Sequence, residues 1–334
     1  MYITAKGGYV NLRRYIENTF IESVKLRSLL PCGSEILAAV SGGSDSVALL
    51  QLLNRFANYM NWELAVLHID HRARPESRED AVFVKNLAER LSLHCSIEEI
   101  SPHGSGSVEG YFSAERNRIY SEYSSGNSLV VTGHTASDRA ETLIMRLLEG
   151  SGLRGLGGMD YLGRGPVRRP LLDFSRSELR DYLETIGQNW VEDPTNQEDS
   201  FLRNRIRHSI IPVLESISPG STYAIARSSA NLSQWRDVTA GIIDESLDKL
   251  LDGDTFKTDK YLNLPKAVRL GILWAVSGRP RGGKLEIEKT DRWILSKKEG
   301  FHILPGGTKI TAEGGRISIR KHLRTAGKVE NEKQ

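Results

Sequence analysis

A short apolar run from Ile36 to Val40 stops at Ser41-Gly42-Gly43-Ser44-Asp45-Ser46, and the following VALLQLLNRFANYM carries apolar residues at helical spacing. The same order returns twice. Leu64 to Ile69 (LAVLHI) leads into DHRAR, and Leu129 to Thr132 (LVVT) leads into GHTASDRAETLIMRLLEG. Continuous apolar runs alternating with amphipathic helices predict parallel strands covered on both faces, hence a doubly wound α/β domain. Its expected span is 33–218, behind an N-terminal helical extension at 1–32. Pro219-Gly220 marks a break. Beyond it, residues 221–251 read as helix. A helical stretch (KAVRLGILWAV) and short alternating segments (FHILPGG, TKITAEGG, RISIRKHL) then predict a small α+β domain within 221–324. The polar tail, 325–334, is expected to be disordered.

Composition narrows the class. A chain of 334 residues with 39% hydrophobic and 26% charged residues is ordinary for a soluble two-domain protein, and no apolar run approaches a membrane span. The N-terminus lacks a secretory core, and two cysteines, Cys32 and Cys95, cannot form a disulfide framework, so a cytoplasmic location is expected. Residues 221–334 hold 21 Lys+Arg against 14 Asp+Glu, whereas residues 1–220 hold 24 against 28. The basic third suits docking on phosphates, and equally suits a solvated charged surface.

The loop Ser41, Gly42, Gly43, Ser44, Asp45, Ser46 sits where a buried strand turns into a helix. Its glycines admit close backbone approach, its serines add hydroxyls, and the helix start favours an anion such as pyrophosphate. It lacks the lysine of a Walker A loop. Asp45 among phosphate donors makes sense as a Mg²⁺ ligand; the plainer reading is a helix cap. The other two strands end at His68-Ile69-Asp70-His71 and at Gly133-His134, and all three ends are expected to converge at the carboxyl edge of the sheet. Zinc on His68, Asp70 and His71 is disfavoured because strand residues alternate faces, which leaves His68 and Asp70 as polar contacts to a nucleotide. Asp138 and Glu141 are three apart on one helix face, where they share a metal, orient an amine or compensate the helix dipole.

Arg203-Asn204-Arg205-Ile206-Arg207-His208 is the densest cationic run, able to clamp phosphate, although its alternate arginines cannot all share one helical face. Arg168-Arg169-Pro170 and Asp193-Pro194-Thr195-Asn196 mark loops that could close over substrate. Two motifs are decoys. Gly150 to Gly155 spells GxGxxG after a helix instead of a strand, and Gly278 to Lys284 imitates GxxxxGK but has Leu285 where a hydroxyl is needed.

Taken in order, SGGSDS, HIDH, GHTASDRAET, GSGLRGLGGM, RRPLL, SRSELRDYL, WVEDPTN and RNRIRHSIIPVL make the chain resemble the tRNA(Ile)-lysidine synthetases over roughly residues 33–215, with a weaker echo near LNLPKAVRLGILWAV and FHILPGGTKI. The first motif marks the wider PP-loop superfamily; the later ones mark the lysidine branch. The resemblance implies that ATP adenylates the 2-oxygen of the wobble cytidine in the CAU anticodon of tRNA(Ile), that free L-lysine attacks that carbon, and that AMP and pyrophosphate leave. It implies ATP and Mg²⁺ at Asp45, lysine or metal at Asp138 and Glu141, His134 near the reacting centre, and Arg203 and Arg207 near phosphate.

The stretch VEGYFSAERNRIY is offset from the family pattern, which leaves Arg116 the nearest match to an upstream arginine. The chain also resembles a short form with one C-terminal domain, and a homodimer is compatible with it. Two rival readings are a PP-loop tRNA thiolase and a non-catalytic nucleotide sensor. Thiolases of this superfamily carry paired cysteines, which Cys32 and Cys95 do not form. A sensor would not need Asp45, Asp138, Glu141 and the arginine run together.

Overall fold

The computed structural model describes residues 2–3, 9–72, 77–100, 108–124, 128–163, 165–192, 202–278 and 283–321. Its contacts divide the chain into two units, Met1–Gln234 and Trp235–Gln334. The division falls inside a helix.

In the first unit a small hairpin, β1 (Tyr2–Ile3) and β2 (Tyr9–Val10), precedes α1 (Leu12–Leu26), whose N-terminus is capped by the Asn11 side chain accepting from the Arg14 amide. Next come β3 (Glu35–Ala39), α2 (Ser44–Met60), β4 (Glu63–Asp70), α3 (Ser77–Arg90), β5 (His94–Glu99), α4 (Val108–Tyr123) and β6 (Leu129–Thr132). After α5 (Ala136–Leu148), α6 (Leu153–Leu156), β7 (Val167–Arg168) and α7 (Arg176–Thr185), a short helix α8 (Leu202–Arg205) continues as a π-helical turn, Ile206–Ile210, into α9 (Ile211–Ile217). Helix α10 (Ser221–Leu250) follows.

The five central strands are all parallel, in the order β5-β4-β3-β6-β7. Strand alternation explains why both faces needed covering. Ile36, Ala38, Val66 and Val131 join a core with residues of α1, α2, α3 and α7, whereas Leu37, Leu67, Val130 and Val167 meet α4 through Ile119 and Tyr120. The first half of helix α2 is buried almost all round, which accounts for its run of Val47, Ala48, Leu49, Leu50, Leu52 and Leu53. The chain expected as an extension before residue 33 contributes Ile16, Phe20 and Val24 to this same core. Because β3 has β4 on one side and β6 on the other, the strand order reverses there, and the carboxyl ends of these strands are where open α/β sheets take ligands.

The second unit carries β8 (Thr255–Lys257), α11 (Thr258–Leu262), α12 (Lys266–Val276), α13 (Lys284–Leu295), β9 (Gly300–Ile303), β10 (Thr308–Glu313) and β11 (Arg316–Lys321). Its four strands pair antiparallel in the order β8-β11-β10-β9. One sheet face, with Phe256, Ile310 and Ile317, packs with Ile272 and Leu273 of α12 and Ile287 and Ile294 of α13. A buried Asp291 accepts hydrogen bonds from Arg269 Nε (2.9 Å) and Tyr261 Oη (2.8 Å). The segments at 193–200, 279–282 and 322–334, which hold the DPTN turn, most of the second decoy and the polar tail, lie outside the described residues.

Candidate active site

The loop after β3 is shaped by its own hydroxyls. Ser46 Oγ donates to the Gly43 carbonyl at 2.9 Å and accepts from the Ser41 amide at 3.2 Å, folding the loop back over the first turn of α2. Gly42 sits at φ +97°, a conformation that L side chains avoid, and its carbonyl accepts from the Val191 amide at 2.9 Å. Gly43 caps α2 without any side-chain hydrogen bond, so the leading N–H groups of this helix remain for a ligand. Helices α5 and α7, by contrast, start with closed capping boxes, Thr135 with Asp138 and Ser175 with Glu178.

Two neighbouring strand ends close on this loop. His68 donates from Nδ1 to the Val40 carbonyl at 2.9 Å, since a carbonyl can only accept, and its buried Nε2 has no partner among the described residues. Asp70 turns back to its own chain and accepts from the Arg72 amide at 2.8 Å. Gly133, after β6, lies so close to the loop that a Cβ there would stand 3.0 Å from the backbone of Asp45 and Ser46. His134 Nδ1 lies 2.8 Å from Thr132 Oγ1, and burial is the main reason its pKa falls to about 4, which keeps the imidazole neutral.

Three carboxylates and three guanidiniums then interlock. Arg176, the first residue of α7, reaches Asp45 (Nε to Oδ2, 3.0 Å), Asp138 (Nη2 to Oδ1, 3.0 Å) and Glu141 (Nη1 to Oε1, 3.3 Å). Arg203 spans Glu141 (2.8 Å) and Asp138 (3.0 Å), while Arg207 grips Glu141 with Nε at 2.8 Å and Nη2 at 3.0 Å. Arg203 and Arg207 are four apart across the start of the π-helical turn and share a face; Arg205, between them, is exposed.

Burial opposes the charge on Asp138, yet Arg176 and Arg203 hold its carboxyl well below the usual range, helped by the Thr135 amide at 2.8 Å. Glu141 is lowered likewise: burial and the nearby Asp138 oppose its charge, but Arg207, Arg176 and Arg203 together outweigh them. Asp45 moves the other way, because burial and the nearby Asp138 outweigh Arg176. Arg176 itself is raised despite burial, since it faces all three carboxylates.

The loop Ser41 to Ser46 with His68, Asp70, His134, Asp138, Glu141, Arg203 and Arg207 thus lies at the carboxyl ends of β3, β4 and β6 or on helices α2 and α5 and the α8 segment with its π-helical turn. Arg176 is the residue of this cluster which sequence reasoning missed. Its signal was the S-x-x-E pattern at Ser175 and Glu178, which marks a helix start and so puts Arg176 at the first turn. Nothing local shows that its side chain crosses to two other helices. Arg116, on α4, makes its presence felt as a cation that depresses both His71 and His134. The loops around Arg168 and Arg169 are tied down locally: Arg169 donates to the Asp160 carbonyl at 2.9 Å.

A family model described as a PP-loop domain matches residues 16–214. The tRNA(Ile)-lysidine synthase of Parasynechococcus marenigrum is 33% identical over 308 residues, covering 87% of this chain and 90% of that protein. That of Pseudomonas fluorescens is 36% identical over 226 residues, 66% of this chain, and this chain spans half of its length. Among solved structures, the U34-tRNA thiolase NcsA from Methanococcus maripaludis aligns with a TM-score of 0.60 at 19% identity, over 70% of this chain and 84% of that one, a likeness of fold. With a domain match over most of its length and a relative of nearly equal extent, the chain belongs to the tRNA(Ile)-lysidine synthase family.

Proposed function

We propose that the chain ligates free L-lysine to the 2-position of the wobble cytidine in the CAU anticodon of tRNA(Ile), consuming ATP and releasing AMP and pyrophosphate. The observation that carries this reading is the meeting of an uncapped, glycine-bent loop with the Asp45-Asp138-Glu141 and Arg176-Arg203-Arg207 cluster. The cytidine 2-oxygen attacks the α-phosphorus as the bond to pyrophosphate breaks. The lysine amine then attacks carbon 2, and AMP leaves with that oxygen.

The chain's own groups suit each step. Free N–H groups of α2 and the hydroxyls of Ser41, Ser44 and Ser46 cradle the nucleotide phosphates. Arg176, Arg203 and Arg207 each pair with carboxylates of the cluster, so a triphosphate competes for them as charge builds on the leaving pyrophosphate. Asp138 and Glu141, held ionised, offer the ammonium of lysine its counter-charge. His134 stays neutral beside the reacting centre, and His68 Nε2 is open to a polar contact with the nucleotide.

Magnesium fits as a cation held mainly by the nucleotide. Asp45 supplies one carboxylate at the loop, and among the described residues no group of three or more His, Cys, Asp or Glu stands ready to cage an ion. The bound ion would neutralise phosphate charge. The basic second unit is assigned to tRNA docking.

The test is incorporation of labelled lysine into a tRNA(Ile) transcript carrying CAU, with ATP and Mg²⁺, for the wild type and Asp45→Asn. Label that requires ATP and is lost in the variant supports the reading. ATP cleavage to AMP and pyrophosphate without label points to another nucleophile.

A further inference from the structure

The outer face of the second unit's sheet is left without a partner in its own core, and the strand register sets out what stands on it. Ile303, Lys309 and Arg320 lie side by side across β9, β10 and β11. The next row is Phe301, Thr311, Ser318 and Thr255, and beyond it come Glu313, Arg316 and Lys257. Directly opposed residues share a face, and Ile310, Ile317 and Phe256 take the other one into the core.

Phe301 and Ile303 are 57% and 58% exposed, and Lys257, Lys309, Arg316 and Arg320 are exposed too. Lys309 Nζ stands 4.4 Å from the centre of the Phe301 ring, and Arg316 donates to Asp252 (2.9 Å) and Thr255 Oγ1 (2.8 Å). An aromatic ring set in a row of hydroxyls, with Lys257, Lys309 and Arg320 on its flanks outnumbering Glu313 while Arg316 is paired with Asp252, is complementary to a phosphodiester strand whose bases are free to stack.

We propose that this face binds an unpaired stretch of the RNA substrate, with one base stacked on Phe301 and phosphates held by Lys309 and Arg320. The incoming base takes the ring, and the ammonium of Lys309 passes from the ring to a phosphate. Duplex RNA does not fit, since its bases are not free to lie on a ring. The proposal rests on the reading of this chain as a tRNA-modifying enzyme and names the part of that substrate which the second unit holds.

The experiment measures tRNA binding across a salt series and steady-state lysine incorporation for the full chain, for Phe301→Ala, Phe301→Trp and the double variant Lys309→Ala/Arg320→Ala. All three side chains are exposed, and unchanged thermal melting verifies the fold. Phe301→Ala is expected to raise Kd and KM for tRNA by roughly 5- to 100-fold, with kcat and KM for ATP unchanged and with recovery in Phe301→Trp. The double variant is expected to flatten the dependence of log K on log salt by about two phosphate contacts. An unpaired octanucleotide should compete better than a duplex of equal charge. Wild-type affinity and salt slope in all variants, alongside normal lysine incorporation, overturn this proposal and leave the enzyme reading intact. A wild-type chain that neither binds nor modifies tRNA overturns both.

Discussion

Arg176 is the residue on which the charge balance of the site turns. Its guanidinium alone touches all three carboxylates, whereas Glu141 is also held by Arg203 and Arg207. Arg176→Ala strips Asp45 of its ion pair with Arg176 and leaves buried carboxylate charge less compensated. Chemical denaturation should show a loss of about 3 kcal/mol, and lysine incorporation should fall by at least about 100-fold. Arg176→Lys should recover stability better than rate, because one ammonium cannot replace a planar fork facing three acceptors.

The neutral histidines make a separate prediction. Burial lowers His134 and His71 to about 4 from the ordinary 6.5, so between these values the unfolded chain takes up protons that the folded chain refuses. Stability from these groups is complete above about pH 6.5 and is lost as the pH falls toward 4. The urea midpoint followed from pH 7 to 4.5 should therefore decline, and His134→Gln should decline less steeply than the wild type.

Among the elements, the loop after β3 and the start of α5 are held in register by close backbone approach. A methyl group at Gly133 would press on the Asp45 and Ser46 backbone at 3.0 Å, and backbone yields less readily than a flexible side chain. Gly133→Ala should cost roughly 100-fold in kcat/KM for ATP while leaving far-ultraviolet circular dichroism unchanged, since a shift of about 1 Å in reacting groups suffices for such a loss. The strands β3, β4 and β6 and helix α2 were legible from apolar runs alone, to within a few residues at either end. Of strand β5 the sequence marked only the neighbourhood of Cys95, because HCSIEE is half exposed at the sheet edge and carries no continuous apolar run. Strand β7 comprises only Val167–Arg168, too short for any period to register.

At the scale of the whole molecule, the fold shared with a thiolase sharpens a test of chemistry. Cys32 precedes β3 and Cys95 is the second residue of β5, so both stand at the amino ends of parallel strands, away from the site at the carboxyl ends. Burial also pushes the Cys95 thiol up, which disfavours the thiolate. A Cys32→Ser/Cys95→Ser variant should therefore incorporate lysine at the wild-type rate; loss of activity without loss of folding would return sulfur chemistry to consideration. No helix among the described residues is long and apolar enough to cross a membrane.

The sequence by itself determined where strands turn into helices, that a parallel sheet is covered on both faces, and that a loop rich in serine and glycine follows the first buried strand. These follow from contrasts between neighbouring residues, which apolar periodicity, glycines and caps record locally. Only the tertiary structure decided which charges meet. Arg176 is 131 residues from Asp45, and Arg203 is 62 from Glu141; their pairing depends on how α2, α5, α7 and α8 are packed around the sheet. Side-chain convergence over such separations leaves no period in the chain, so the same arginines that read as a basic run became the counter-ions of a buried carboxylate cluster.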